Sequence, residues 1–303
     1  MEKSVREEDL TFLFQGKFEN ESNRAINELR KNFPKAKIVI SCWKADMKMI
    51  KVNADSIILN DDPGSVKIND FKVDNINRQL ISTQNGLEEV KTSYVCKIRS
   101  DTYLNSSKII EIYNKYNSKK NKYEHVKIRE KILVTNLTTL NPEKSVHKFH
   151  VCDWIFMGLT DDIKNLFHIE LKKEHFFYYY SQRKYIPDGI CSKQRSESVI
   201  FSHLYSNENV GCFDSDWSSK EAKDLTFDLF KNSLIIVNPW MINLISIKHK
   251  RIYFWMNTMR FTFNDWLKLT GRKRNIRELF RENMSFLLNY LVVKAAKIKS
   301  SYV

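Results

Sequence analysis

The sequence predicts a mixed α/β protein whose mostly parallel sheet is flanked by helices. Through the first half, short β-favouring apolar runs alternate with amphipathic helical stretches, and several runs stop abruptly at polar residues. The composition agrees. With 42% apolar residues, seven glycines and five prolines in 303 residues, the chain can bury a sizeable core and has little disorder-prone sequence.

Leu10 to Phe14 is a compact apolar strand that stops at Gln15-Gly16. A helix is expected from Ser22 to Phe33, with Ala25, Ile26, Leu29 and Phe33 on one face, a capping Ser or Asn before it, and Pro34 after it. Lys37 to Cys42 and Ser56 to Leu59 are the next strands; the second ends in Asn60-Asp61-Asp62-Pro63-Gly64, which has turn chemistry. Asp74 to Val90 reads as a helix with Ile76, Leu80, Thr83 and Leu87 aligned, and Tyr94 to Ile98 as the fourth strand. Short connections in this β-α-β-β-α-β order favour parallel pairing under a layer of helices.

Further strands are expected at Lys131 to Thr135 and Asp153 to Met157, the latter passing through Gly158 into a helix containing Asp161, Ile163, Leu166 and Phe167. Phe176 to Tyr180 is an aromatic run that suits either the core or a wall for sugar or lipid, and core packing is the simpler reading. Glu197 to Tyr205 is helical in pattern. Residues 1–240 read as the main domain and 241–303 as a basic helical extension. There Lys248, His249, Lys250 and Arg251 precede Ile252 to Met256, and Ile276, Leu279, Phe280, Met284, Leu287, Leu288 and Leu291 recur at helical spacing before Lys294, Lys297 and Lys299. Such a tail either lies on an anionic membrane surface or packs on the main domain with its lysines solvated.

The net charge of +14 calls for a partner of opposite sign, and nucleic acid, anionic lipid and phosphorylated sugars all qualify. Cys42, Cys96, Cys152, Cys191 and Cys212 are scattered, with no Cys-x-x-Cys pair, as expected of thiols in a reducing compartment. The early acids Glu2, Glu7, Glu8 and Asp9 do not suit a signal peptide, and no apolar run approaches the roughly 20 residues of a membrane span. The expected location is cytoplasmic.

The stretch Tyr94 to Leu104, YVCKIRSDTYL, is the most telling. An apolar run ending in Arg99-Ser100-Asp101 describes a buried strand that delivers an acid to a sheet edge, where open α/β sheets bind ligands. A strand-end acid that serves a ligand is expected to contribute little to stability. Three other segments accompany it: the first strand ending in Gln15-Gly16, the helix opening Asn75-Ile76-Asn77-Arg78-Gln79, and Phe149 to Gly158 with Asp153. In order and spacing, over roughly residues 9–205, these resemble the WavE-type lipopolysaccharide-synthesis proteins, a group of GT-A-like glycosyltransferases.

The resemblance implies a nucleotide-sugar donor, a lipid-linked or oligosaccharide acceptor, and work at the inner face of the cell membrane. It implies a divalent metal, manganese or magnesium, with Asp101 as its ligand. The usual motif of the class has two acids, whereas here Arg99 stands in place of the first, so Arg99 and Arg78 are candidates to neutralise the diphosphate themselves. Gln15, Gly16 and Asp61 are expected near the nucleotide, with Asp62 and the turn reading also open for that pair. The acceptor hydroxyl needs a carboxylate base. Glu197 sits where the class places one, though a first-turn Glu also suits a helix dipole; Asp153 is the second candidate. Trp43 suits core packing or stacking, and His147 and His150 lack zinc-ligand spacing.

Two other function classes fit part of the pattern. Nucleotidyl or polyol-phosphate transfer would use the same strand end. Nucleic-acid binding would use the charge, but no helix-turn-helix, zinc-finger or RNP-type motif is visible, so that partner is not expected.

Overall fold

The computed structural model describes residues 4–69, 72–117, 128–180, 192–205, 220–249 and 259–300. In chain order the elements are β1 (Leu10–Gln15), α1 (Asn20–Asn32), β2 (Lys37–Trp43), β3 (Ser56–Asn60), β4 (Val66–Asn69), β5 (Lys72–Asp74), α2 (Ile76–Glu88), β6 (Tyr94–Arg99), β7 (Thr102–Leu104) and α3 (Lys108–Tyr116). The second half adds β8 (Ile132–Thr135), β9 (Ile155–Leu159), α4 (Thr160–Phe167), α5 (Glu174–Phe177), α6 (Ser196–Ser202), α7 (Lys220–Asn232), β10 (Leu234–Val237), β11 (Leu244–Ser246), α8 (Phe263–Leu269) and α9 (Ile276–Ser300).

Seven strands form one sheet in the order β10-β8-β9-β6-β1-β2-β3. The pairs β1–β2, β1–β6, β2–β3 and β8–β10 are parallel, and β9 alone runs against its neighbours β6 and β8. This is the mixed, mostly parallel sheet flanked by helices that the sequence predicts. Strands covered on both faces need apolar residues at nearly every position, and β1, β8 and β10 are buried along their whole length.

The direction of β9 creates the site. Gln15 at the end of β1 lies beside Arg99 at the end of β6 and opposite Ser41 in β2, so these carboxyl ends form one edge. Because β9 is antiparallel, its start meets the end of β6, with Ile98 paired to Ile155 and the Arg99 amide donating to the Trp154 carbonyl at 3.2 Å. Asp153, two residues before β9, therefore arrives at the same edge from the opposite direction.

Several boundaries differ from the sequence expectation. Helix α1 is capped by neither Ser nor Asn. Glu19 occupies the cap, and the Ser22 hydroxyl accepts from the Glu19 amide at 3.1 Å in a capping box. Gly158 lies inside β9 opposite Val95, and α4 starts at Thr160. Of the aromatic run, Phe176, Phe177 and Tyr180 are buried, as core packing requires. Cys42, Cys96 and Cys152 are buried free thiols; Cys191, Cys212 and the run Lys250 to Met256 lie outside the described residues.

Beyond residue 240 the chain remains tied to the sheet layer. Strand β11 pairs antiparallel with β7, Leu244 opposite Leu104 and Ser246 opposite Thr102. The Trp266 indole N–H in α8 donates to the carbonyls of Leu234 and Phe230 at 2.9 and 3.1 Å.

Helix α2 approaches the sheet so closely that a Cβ on Gly86 would lie 2.5 Å from Leu13 Cδ1 and 2.9 Å from Ser41 Cβ. Helix propensity alone favours alanine there by about 1 kcal/mol. Overpacking costs about 1–3 kcal/mol. Leu13 is fully buried with little room to turn aside and the Ser41 Cβ moves only with its strand, so here the contact should win. Gly86→Ala is therefore expected to lower the urea or thermal midpoint, and an unchanged or higher midpoint would mean that α2 lifts off the sheet without cost.

Candidate active site

A cleft of about 470 Å³ opens at the shared strand edge. It is lined by Gln15, Gly16, Arg78, Arg99, Asp101, Asp153 and Glu197, together with Lys17, Trp43, Gln79 and Lys248. All the sequence-selected site residues except Asp61 thus converge. Asp61 is 86% exposed and pairs with Lys44 at 2.8 Å, outside the cleft; its neighbour Asp62 is the carboxylate that reaches Arg78.

The floor is set by the turn after β1. Gly16 has φ +104°, a conformation that side chains disfavour, and its amide donates to the Ser41 carbonyl at 3.1 Å. The Gln15 side-chain oxygen accepts from the hydroxyls of Ser82 and Thr83 at 3.3 and 3.2 Å, so Gln15 fastens α2 to β1 as well as lining the cleft.

The opening of α2 assigns a task to nearly every polar residue of Asn75-Ile76-Asn77-Arg78-Gln79. Asp74, just before it, accepts from the Ile76 amide at 2.8 Å and from the Ser196 hydroxyl at 3.2 Å, which brings the start of α6 against the start of α2. Asn77 clasps the backbone of Lys172 in both directions, at 2.8 and 2.7 Å. Arg78 holds Asp62 through two parallel hydrogen bonds of 2.8 and 2.6 Å and lies 5.1 Å from the centre of the Trp43 ring. Gln79 donates to Asp153 Oδ2 at 3.0 Å.

At the end of β6, Arg99 grips Asp101 by both oxygens, at 3.0 and 2.9 Å, while its guanidinium lies 4.6 Å from the centre of the Trp154 ring. Asp101 is buried, and its carbonyl accepts from the Ile247 amide at 3.0 Å. That bond brings Lys248 to the cleft, where its ammonium meets Glu19 at 2.8 Å; Lys17 meets the same carboxylate at 3.1 Å.

On the opposite side stand Asp153 and Glu197. The Glu197 side chain is 29% exposed, and its partial burial, and next the nearby Asp153 charge, push its carboxyl up to about 7, with Arg195 pulling the other way. His150 lies 3.7 Å from Glu197, too far for a hydrogen bond. Burial, reinforced by Arg260 and Arg195, lowers its imidazole to about 4, so it is neutral at pH 7. Beneath Asp153 lies the fully buried Lys97, whose ammonium donates to the Asp153 carbonyl at 2.6 Å between the rings of Phe156 and Phe167. Burial lowers Lys97 to about 8 against the opposing pull of Asp153.

Sequence reasoning assigned no role to Lys97, Lys17, Lys248 or Gln79. A lysine inside a buried strand was a visible signal for Lys97. The other contacts depend on chain separations that local patterns do not report.

The expected metal ligand, Asp101, has both oxygens engaged by Arg99, and among the described residues no three His, Cys, Asp or Glu side chains gather into a cation site. The donor set does not fit a ready-made metal centre, because a cation at Asp101 would first have to displace Arg99.

The sequence model described as WavE lipopolysaccharide synthesis matches residues 14–301. The chain belongs to that family. The match extends through the C-terminal third, beyond the span of roughly residues 9–205 over which the motifs resemble it. Among solved structures, an active-site mutant of LgtC is similar with 6% identity and a TM-score of 0.36, over 63% of this chain and 68% of that one. HddC from Yersinia pseudotuberculosis follows at 13% identity and a TM-score of 0.33, over 60% of this chain and 87% of that one. Scores this low establish no shared fold. A search of curated proteins finds no match by sequence.

Proposed function

We propose that this WavE-family protein is a glycosyltransferase that moves a hexosyl or related sugar from a nucleoside-diphosphate donor to a growing lipopolysaccharide, O-antigen or capsule glycan. The acceptor is lipid-linked or an oligosaccharide, and the reaction takes place at the inner face of the cell membrane. Residues 1–240 carry the donor and acceptor sites, and 241–303 form a basic extension that also lends Lys248 to the cleft.

One juxtaposition supports this reading above the others. A carboxyl held near neutrality, Glu197, shares a cleft with two arginine forks, Arg78 and Arg99. Glycosyl transfer with inversion needs a base for the acceptor hydroxyl and positive charge for the leaving diphosphate, and these groups supply the two. Glu197 takes the proton of the acceptor hydroxyl as its oxygen bonds the anomeric carbon. The bond from that carbon to the diphosphate breaks, and the diphosphate leaves with the electron pair, stabilised by Arg78, Arg99, Lys17 and Lys248. Asp153, fixed through Gln79 and Lys97, orients the acceptor. Gln15 and Gly16 line the nucleotide side of the cleft.

Thermal stability against a panel of nucleotides and nucleotide sugars, with and without manganese, tests the donor site. One nucleoside diphosphate at about 100 times its dissociation constant should stabilise the protein by about 2.7 kcal/mol. Absence of a shift with every member would overturn the donor-site reading. A shift that requires manganese would mean that the cation does displace Arg99 from Asp101.

A further inference from the structure

Helix α9 is mounted with its polar side inward. Glu278, Glu282 and Ser285 are buried, whereas Ile276, Phe280, Met284, Leu287, Leu288 and Leu291 are exposed, Ile276 by 82% and Phe280 by 66%. These two sets recur at helical spacing on opposite faces. The usual surface helix does the reverse.

Hydrogen bonds hold this orientation. Glu282 accepts from the Asn238 side chain at 2.9 Å, from the Asn264 amide at 3.2 Å and from the Asn264 side chain at 3.1 Å. Glu278 accepts from the Trp240 indole and the Asn238 side chain. Rolling the helix to hide its apolar face would strand these buried donors and bury apolar groups against none of their partners, a cost of about 1–3 kcal/mol for each unsatisfied group. The outward apolar face is therefore fixed by its own buried contacts.

We propose that this face docks α9 onto the anionic surface of a lipid bilayer. Charge selects that partner. Between Gly271 and Val303 the only acids are Glu278 and Glu282, both buried; Arg281 pairs with Glu278 at 3.2 Å, and the exposed charge around the face comes from Arg272, Lys273, Arg274 and Arg277. Tyr290, 61% exposed on the same face, is a side-chain type suited to the headgroup level. No helix among the described residues is long and apolar enough to cross a membrane, so α9 lies in the interface with its apolar side chains at the acyl boundary and its arginines among the headgroups. The two alternatives read from the sequence, membrane helix and packed helix, are thus one arrangement, with one face for each partner. The proposal does not depend on the reaction assigned to the cleft.

Flotation of the full chain with vesicles tests it without measuring activity. The protein should float with vesicles of two parts phosphatidylcholine to one part phosphatidylglycerol at low salt, and remain unbound with phosphatidylcholine alone. Paired substitution of Phe280→Ser with Leu287→Ser, or of Arg274→Glu with Arg277→Glu, should each weaken binding about tenfold or more, with thermal midpoint and nucleotide response unchanged. Failure of the unmodified chain to float would overturn the proposal. So would binding that survives the apolar substitutions, which would reduce it to charge adsorption. A dimer by light scattering that Phe280→Ser dissociates, without vesicle binding, would instead assign the face to a second copy of the chain.

Discussion

Glu197→Gln is expected to lower kcat by about 100- to 10,000-fold, the range over which a positioned base contributes. The substitution keeps the size and leaves the Arg78 and Arg99 forks in place, so donor stabilisation in thermal melts should persist. The pH dependence is the sharper measurement. Burial and the Asp153 charge raise Glu197 to about 7, so it is neutral below that pH and a carboxylate above it. A base works only in the carboxylate form. The rate should therefore fall about tenfold per pH unit below about 7 and level off above it. His150 does not mask this limb, because its imidazole is lowered to about 4.

The residual activity of Glu197→Gln should lose that acid limb. If the variant kept both the rate and the limb, Glu197 would not be the base, and Asp153 would take its place as the candidate. If it kept the limb at a low rate, the titrating group would lie elsewhere in the cleft.

The strands that form the site edge were legible because they are buried on both faces. LTFLF, KIVISC and YVCKIR are nearly uninterrupted apolar runs with polar ends, and those ends fixed Gln15, Arg99 and Asp101 as candidates. Strands β7 and β11 left no such trace: each has three residues and exists through pairing with the other across a long separation. The same limit explains Lys248, which reaches the cleft only because Ile247 bonds to the Asp101 carbonyl. Asp61 and Asp62 are adjacent acids in one turn, and no local pattern tells which carboxylate will face Arg78. The buried polar face of α9 was also hidden, since its apolar periodicity reads equally well as a core-facing helix. Lys97 differs: a charge within a buried strand was present in the sequence, and its partner, the Asp153 carbonyl, came only from the reversed direction of β9.

Asp101→Ala should abolish transfer and also destabilise the protein. The second effect departs from the expectation that a strand-end acid contributes little to stability. Asp101 is buried and accepts both bonds of the Arg99 fork, so its removal leaves a guanidinium only one-third exposed without its partner. Breaking a fully buried pair costs about 3–5 kcal/mol; with solvent access at Arg99 the expected cost is about 1–2 kcal/mol. Asp101→Asn separates the two effects. An amide keeps the shape and one acceptor oxygen but loses the charge, so most of the stability should return. Transfer should stay at least about 100-fold down, because Arg99 is no longer held by two charge-assisted bonds in the position that meets the diphosphate. Denaturation midpoints and donor titrations on both variants measure this. Full activity in either would remove Asp101 from the site, and an unchanged midpoint in Asp101→Ala would mean that Arg99 finds another acceptor.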